Sequence, residues 1–465
     1  MEEAQTISQG SAPAGQEIPV SVPSLADVLR FSVPLALGML TMALLSIVDA
    51  LFVGRLGIAH LGALGMAGIF YFTGLVLFMG LMRNSITFMA RAYGEGNPGR
   101  IGEMLAQYQW LALLGLPILG LASLTFPWVM GWSGIDPTVT HFGKIYLYIR
   151  IWDIPLALTL ILYASLYQSL GNSRFPMLVQ WSVLILNVGL NYVLVFGKAG
   201  FPALGIAGAA LGTVIAQICG AILIVGATHL GDLPARYRLR VLGWPRWRLM
   251  RQVLAVGIPQ GLGDFVELAS FMGFFLIVGR LGQAPLAANH IGVQTTHLLF
   301  IPGFALGIAA SSYMGRFIGA GAPDVALHAV RQVLKIGVIY MGLLGIPLWF
   351  FGGLIATAFT DDPQVIALAA AIFKIMAIYQ VFDGMGMIAR GALNGAGDTR
   401  YPTAALTLAA LLVFLPAAWA LSLWVQPGVA GAWIGALIYF VVLGPTLLLR
   451  LERGAWRKIR IKVGV

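Results

Sequence analysis

Apolar stretches of about 20 residues, the length that crosses the hydrocarbon core of a bilayer, follow one another along nearly the whole chain. They are longer than the roughly 9–11 residues of a membrane-spanning β-strand, and they do not alternate with polar residues. Charged residues make up only 10% of the sequence, against roughly 25% in a soluble domain. The sequence therefore predicts an all-α integral membrane protein.

Turn residues and short polar segments divide the apolar sequence into twelve predicted transmembrane helices. They lie at 25–53, 62–90, 101–131, 141–170, 174–197 and 203–229, and at 249–279, 287–317, 326–355, 364–393, 401–425 and 428–450. The corresponding organisation is a disordered cytoplasmic tail at 1–24, a six-helix lobe at 25–230, a cytoplasmic linker at 231–248, a second six-helix lobe at 249–452 and a basic cytoplasmic tail at 453–465.

The two halves repeat the same motifs in the same order. The sequence "VGRLG" occurs at Val53–Gly57 and again at Val278–Gly282, 225 positions later, and Pro34 and Pro259 are separated by the same offset. "YGEGNPGR" aligns with "IGAGAPDV", and "GNSRFP" aligns with "AGDTRYP". This order indicates an internal duplication. Because each half has six spans, the halves form parallel repeats about an axis along the membrane normal. We interpret "VGRLG" as a structural corner in which glycine permits the turn.

Positive charge is distributed unevenly between the predicted loops. We count three of the 28 Lys and Arg residues within the spans, namely Arg83, Arg150 and Lys374. Nearly all the others lie in inner loops and tails. The outer loops hold only four, namely Arg55, Lys144, Lys198 and Arg280. This bias predicts that both termini are cytoplasmic. The net charge of +10 follows from the same bias, so no nucleic-acid partner is expected.

Several of these motifs resemble the multidrug and toxic compound extrusion (MATE) family, and within it the NorM-like branch. The resemblance rests on the duplicated "VGRLG" corner, the "AGDTRYP" loop and three acids in the contexts "VDALFVG", "FVELASF" and "YQVFDGM". It implies two lobes forming a V around a central cavity, in the plasma (bacterial inner) membrane. It also implies multidrug efflux by alternating access, with amphipathic, often cationic compounds exchanged for Na⁺ or H⁺. No cofactor beyond that ion is expected.

Five acids fall within the predicted spans: Asp49, Asp153, Asp264, Glu267 and Asp383. A carboxylate at a helix centre costs roughly 2.5–3.5 kcal/mol on insertion scales, so each should face a cavity or a partner. Tyr379 lies four positions before Asp383 and therefore on the same helix face. By resemblance, Glu267, Asp383 and Tyr379 match the coupling-cation site of the second lobe. Such carboxylates suit Na⁺ or a proton; the alternative is a set of hydrogen-bonded structural acids.

A second polar group is predicted in the first half. Asn187 and Asn191 lie four positions apart on one helix face, and by resemblance they complete a pocket with Asp49, the coupling acid of the first lobe. The alternative is hydrogen bonding between helices by the asparagines. Asp264 has no counterpart in the family pattern and is grouped with these asparagines as a substrate-pocket candidate. Asp153 is expected to form a structural pair with Arg150, three residues earlier.

Other classes of membrane protein lack support in the sequence. An ATP-driven pump would need a phosphate-binding "GxxxxGK[ST]" loop, and an enzyme would need a nucleophile or metal motif such as HExxH. The remaining alternative is a flippase for a lipid-linked oligosaccharide, of the same wider superfamily. A flippase would line its cavity with bases, whereas five acids against three bases within the spans favour a cationic cargo. The expected partners are small-molecule drugs, organic cations and membrane lipids, without ATP or an obligate protein partner.

Overall fold

Twelve membrane-length helices make up the protein in a computed structural model that describes residues 20–425 and 428–459. We label them α1 to α12: Leu25–Gly54, Ile58–Gly94, Pro98–Trp132, Pro137–Ser169, Arg174–Phe196, Ile206–Leu230, Trp247–Gly279, Gln283–Gly319, Pro323–Thr357, Pro363–Ala396, Arg400–Trp424 and Val429–Glu452. The described residues contain no β-strand. All twelve predicted spans are present, which confirms the all-α membrane fold. Most of the predicted N-terminal tail, up to residue 19, and the last six residues of the basic tail lie outside the described part.

Helix starts explain most differences between the predicted and observed spans. α4 begins at Pro137 rather than residue 141, because Asp136 accepts a hydrogen bond from the backbone of Thr138 and caps the first turn. α3 starts in the same way, with proline after an asparagine cap at Asn97. Polar first turns therefore extend the helices beyond their apolar sequence.

The repeated corners have the same backbone conformation in both halves. Gly57 and Gly282, the last residues of the two "VGRLG" motifs, have φ angles of 125° and 112°. Only glycine adopts such angles without strain. Arg55 and Arg280, in the same corners, are both exposed. The motif therefore forms a turn after the first helix of each half.

Two helices are interrupted beside charged residues. α2 consists of Ile58–Arg83 and Ser85–Gly94, separated at Asn84. α4 contains a 3₁₀ turn at Ile151–Asp153. Short irregular segments within helices are frequent at functional positions, and these two place Arg83 and Asp153 inside the bundle.

The first turns of α1 and α7 each pack in the apolar core of the opposite half. Val28, Phe31 and Leu35 of α1 pack in the apolar core of the second half. Leu249, Met250 and Val253 of α7 pack in a core of the first half. Both contacts lie at the end of the bundle where α1 begins, which we call the termini side.

Glycines bring the halves into backbone contact on the termini side. A Cβ atom at Gly94 of α2 would clash with the carbonyl oxygen of Arg316 in α8, and one at Gly319 would clash with the carbonyl of Arg91. Nearer the middle of the bundle, Gly261 of α7 packs on the carbonyl of Leu77 in α2. Small residues allow such close approach between membrane helices. The central cavity is therefore closed by helix packing on this side.

Candidate functional site

Four charged side chains form a network between the halves. Arg390 of α10 donates to Glu267 over 2.7 Å and to Asp264 over 2.6 Å. Asp264 also accepts from Arg83 of α2 over 2.8 Å. Arg83 belongs to the first half and the other three to the second. The network therefore links the halves while balancing two acids with two bases.

Backbone geometry places each member of this network. Asp264 and Glu267 are one turn apart on α7, so both face α10. Arg83 ends the first segment of α2 and lies 4.8 Å from the ring centroid of Phe304, a cation–π distance. Beside it, Asn84 donates to Gln260 across the halves over 3.0 Å. The interruption of α2 thus supplies two polar contacts between the halves.

Two sequence-based expectations are wrong at this network. Asp264 does not join Asn187 and Asn191, because Arg83 and Arg390 bind both of its carboxylate oxygens. Arg390 was not among the bases counted within the spans, although its position seven residues after Asp383 puts both on one helix face. Within the network no acid is in excess, because Asp264 and Glu267 are paired with Arg83 and Arg390.

A small cavity of about 90 Å³ adjoins the network. Both halves contribute polar side chains to its wall, among them Gln168 and Asn394. Its volume holds a few water molecules and is well below the roughly 300–1,000 Å³ of sites for drug-sized ligands. A large cargo would fit only after the halves separate.

Like Asp49, Asp383 forms no salt bridge among the described residues. Its side chain is 5% exposed, and its buried Oδ2 atom has no hydrogen-bond partner. Three residues earlier, Gln380 is fully buried, and neither its Nε2 nor its Oε1 is hydrogen-bonded. Glu267 is close enough to act on Asp383 electrostatically. Buried polar atoms without partners are costly, so this part of α10 is suited to receiving a ligand.

Tyr379 lies on α10 one turn before Asp383 but does not bond to it. Its hydroxyl pairs with Thr296 over 3.2 Å, and its ring stacks on Phe440 at a centroid distance of 4.7 Å. Glu267, Asp383 and Tyr379 therefore share a region without direct hydrogen bonds to one another.

In the first half, the structure brings together Asp49, Asn187 and Asn191. Asn191 donates to Asp49 over 2.6 Å and to Asn187 over 3.2 Å. Thr213 of α6, which the sequence analysis missed, accepts from Asn187 over 3.0 Å and lies 3.4 Å from Asp49. A helical threonine gives no hydropathy signal, so only packing reveals it. Unlike Asp383, Asp49 has hydrogen-bond partners on both oxygens.

Asp153 and Arg150 form the expected ion pair. Tyr71 of α2 also donates to Asp153, and its ring lies 4.8 Å from the Arg150 guanidinium. Asp153 is fully buried, so this group ties α2 to the 3₁₀ turn of α4.

Within the described part of the chain, no three His, Cys, Asp or Glu side chains cluster in a way that could hold a metal ion. Glu267 and Asp383, the candidate Na⁺ ligands, would contribute two carboxylates. Any further ligands would be neutral oxygens, which also suit a hard monovalent cation.

The MatE family model matches the chain twice, over residues 34–193 and 259–419. Among similar proteins, the probable multidrug resistance protein NorM of Synechocystis sp. is 30% identical over 94% of this chain and 96% of its own length. The protein of the same name from Idiomarina loihiensis is 28% identical over 90% of this chain and 92% of its own length.

Solved transporter structures share the fold. The Vibrio cholerae MATE transporter VcmN in the bent form has a TM-score of 0.82 and 21% identity, covering 93% of this chain and 97% of its own. The eukaryotic MATE transporter AtDTX14 has a TM-score of 0.83 and 20% identity, covering 93% and 96%. A MOP superfamily transporter from Pyrococcus furiosus has a TM-score of 0.83 and 19% identity, covering 94% and 97%.

Proposed function

The chain belongs to the MatE family of membrane transporters, and from this premise we propose that it exports amphipathic, often cationic organic compounds in exchange for Na⁺ or H⁺. It is a multi-pass membrane transporter and not an enzyme. Its relatives are named multidrug resistance proteins, which supports a broad range of cargo. The observation that carries the proposal is a buried, unpaired Asp383, one helical turn before Met387, which lines the cavity between the two halves.

The coupling ion binds at Asp383 with the help of Glu267. A buried carboxylate without a counter-charge is costly in a membrane, and one proton or one Na⁺ removes most of that cost. Arg390 occupies one oxygen of Glu267, so the ion meets Asp383 and the remaining Glu267 oxygen. Tyr379 borders this site, and Asp49 is the corresponding coupling acid in the first half.

Cargo binds in the central cavity after the halves move apart. The closed cavity of about 90 Å³ is too small for a drug-sized cation, which supports alternating access. Phe304 and Met387 border it and offer cation–π and adaptable apolar contacts. Ion binding drives the exchange only through a different affinity for the two arrangements of the halves.

A lipid-linked oligosaccharide flippase remains the alternative, and one observation favours it. Arg83 and Arg390 place two guanidinium groups at the cavity, and guanidinium binds phosphate well. Both are already paired with Asp264, which would compete with a pyrophosphate. The exporter is therefore the better-supported function.

Dye accumulation in a pump-deficient bacterial host tests the exporter. Cells expressing the protein should accumulate less of a flat cationic dye than vector controls, while accumulation of a neutral dye of similar size changes less. A tagged protein in the isolated membrane fraction confirms insertion. Equal cationic-dye accumulation with and without the inserted protein would contradict the proposal.

A further inference from the structure

A second, larger cleft of about 580 Å³ lies on the termini side, away from the charged network. Arg30, Tyr93, Asn172 and Arg174 line it from the first half, and Tyr313 and Arg316 line it from α8 of the second half. The cleft thus spans the contact between the halves.

Arg316 has no carboxylate partner in the part of the chain that the structure describes. Its guanidinium lies 5.4 Å from the ring centroid of Tyr313 and 6.0 Å from that of Tyr93, and its buried Nε atom has no hydrogen-bond partner. An unpaired charge at a largely buried position is costly. An anion bound in the cleft beside Arg316 would reduce this cost.

The duplication supplies an internal comparison. Position 91 of the first half corresponds to position 316, and Arg91 pairs with Glu95 over 3.5 Å. The residue corresponding to Glu95 in the second half is Ala320. One copy of the motif therefore carries its own counter-charge, and the copy beside the cleft does not.

The loop that contains Asn172, which also lines the cleft, likewise lacks an acid that the other half has. Asn172 corresponds to Asp398, which pairs with Arg450 over 3.0 Å. Asp27, the acid that lines the cleft, lies 4.0 Å from Arg30 and accepts from Ser24 over 2.7 Å. Among the described residues, Arg174 and Arg316 form no salt bridge, whereas the repeat carries acids, Asp398 and Glu95, where the copy beside the cleft has Asn172 and Ala320.

We propose that this cleft binds a phosphate-type anion through Arg174 and Arg316. The planar guanidinium fork matches the oxygens of a phosphate, and basic pockets at the ends of membrane helices hold lipid head groups. The phosphate belongs to a phospholipid head group or to a free phosphate. Because Arg174 and Arg316 come from different halves, the bound anion stabilises the arrangement in which the halves touch on the termini side. This inference does not depend on the cargo or the coupling ion.

Titrations of the purified full-length protein in an uncharged detergent test this site. One series adds inorganic phosphate at constant ionic strength, with chloride as the control. The other adds short-chain phosphatidylglycerol, with short-chain diacylglycerol, which lacks a phosphate, as the control. Thermal unfolding reports binding, because a ligand that binds only the folded state raises the midpoint temperature.

We expect phosphate, phosphatidylglycerol or both to raise the midpoint, and Arg316→Gln or Arg174→Gln to weaken that binding by at least about tenfold, or about 1.4 kcal/mol. Arg400→Gln, which removes the charge corresponding to Arg174 in the other half, should bind like the unsubstituted protein. Arg174→Gln keeps the test valid if Arg316→Gln does not fold. A response to phosphatidylglycerol alone assigns the site to a lipid, and a response to both assigns it to the phosphate group. No response to either ligand, or an equal response in all three variants, would overturn the proposal.

Discussion

Arg390 distinguishes the two predicted acids of the second half, because it pairs with Glu267 and not with Asp383. Their place within the predicted spans and the family resemblance identified Glu267 and Asp383 but gave both the same role. The structure pairs Glu267 with Arg390 and leaves Asp383 unpaired. The seven-residue spacing of Asp383 and Arg390 on α10 could have revealed a shared face. The partners of Arg390 on α7 could not have been identified, because contacts between helices depend on packing rather than on sequence spacing.

The Arg390–Glu267 pair should be measurable as a coupling energy. Removing one partner leaves the other charge uncompensated, so Arg390→Gln should lower the unfolding free energy by about 1–3 kcal/mol, and Glu267→Gln in the same chain should recover part of the loss. The exposed pair Arg331–Glu452 is the matched control, with an expected coupling of about 0–1 kcal/mol. Reversible unfolding in mixed micelles measures both cycles. Equal coupling energies in the two pairs would contradict a buried network.

At the scale of helices, hydropathy located every span but missed features that are not apolar. The interruption of α2 at Asn84 and the 3₁₀ turn before Ile154 lie inside long apolar runs, where a hydropathy window averages over them. Both features place charged groups in the bundle. The close glycine contacts between α2 and α8 were also invisible, because a glycine in an apolar run does not indicate which helix it meets.

The contact at Gly94 gives a direct test of this packing. Gly94→Ala would place a methyl group against the carbonyl of Arg316, and such overpacking costs about 1–3 kcal/mol. Gly226→Ala is the control, because a Cβ atom there meets no neighbour within 4 Å, and alanine favours the helix by up to about 1 kcal/mol. The unfolding midpoint in detergent should fall for the first variant only. A Gly94→Ala midpoint equal to that of Gly226→Ala would show that the helices do not meet as closely.

At the scale of the whole molecule, the duplication was the most informative sequence feature. It implied two six-helix halves, and the family model matches twice with starts at residues 34 and 259. The repeat could not show which differences between the two copies matter, because that depends on which residues lie beside a common cleft. The cleft on the termini side is distinguished by two such differences: Ala320 stands at the position equivalent to Glu95, and Asn172 at the position equivalent to Asp398.

Orientation in the membrane is predicted by the uneven distribution of Lys and Arg. A reporter fused after Gly243, in the segment between α6 and α7, should be cytoplasmic. One inserted near Asp361, between α9 and α10, should be external. Paired alkaline phosphatase and fluorescent protein fusions measure both positions, and activity on the opposite sides would reverse the proposed topology.

The central claim is that an ion gradient drives export through Asp383, and proteoliposomes test it most directly. Export of a fluorescent organic cation is measured with a Na⁺ gradient and a H⁺ gradient imposed separately. Asp383→Asn keeps the side-chain size but removes the charge, whereas Asp361→Asn removes an exposed acid outside the bundle. We expect the unsubstituted protein and Asp361→Asn to export with at least one gradient, and Asp383→Asn to fall to the rate measured without a gradient. Export by Asp383→Asn at the unsubstituted rate under both gradients would contradict the account.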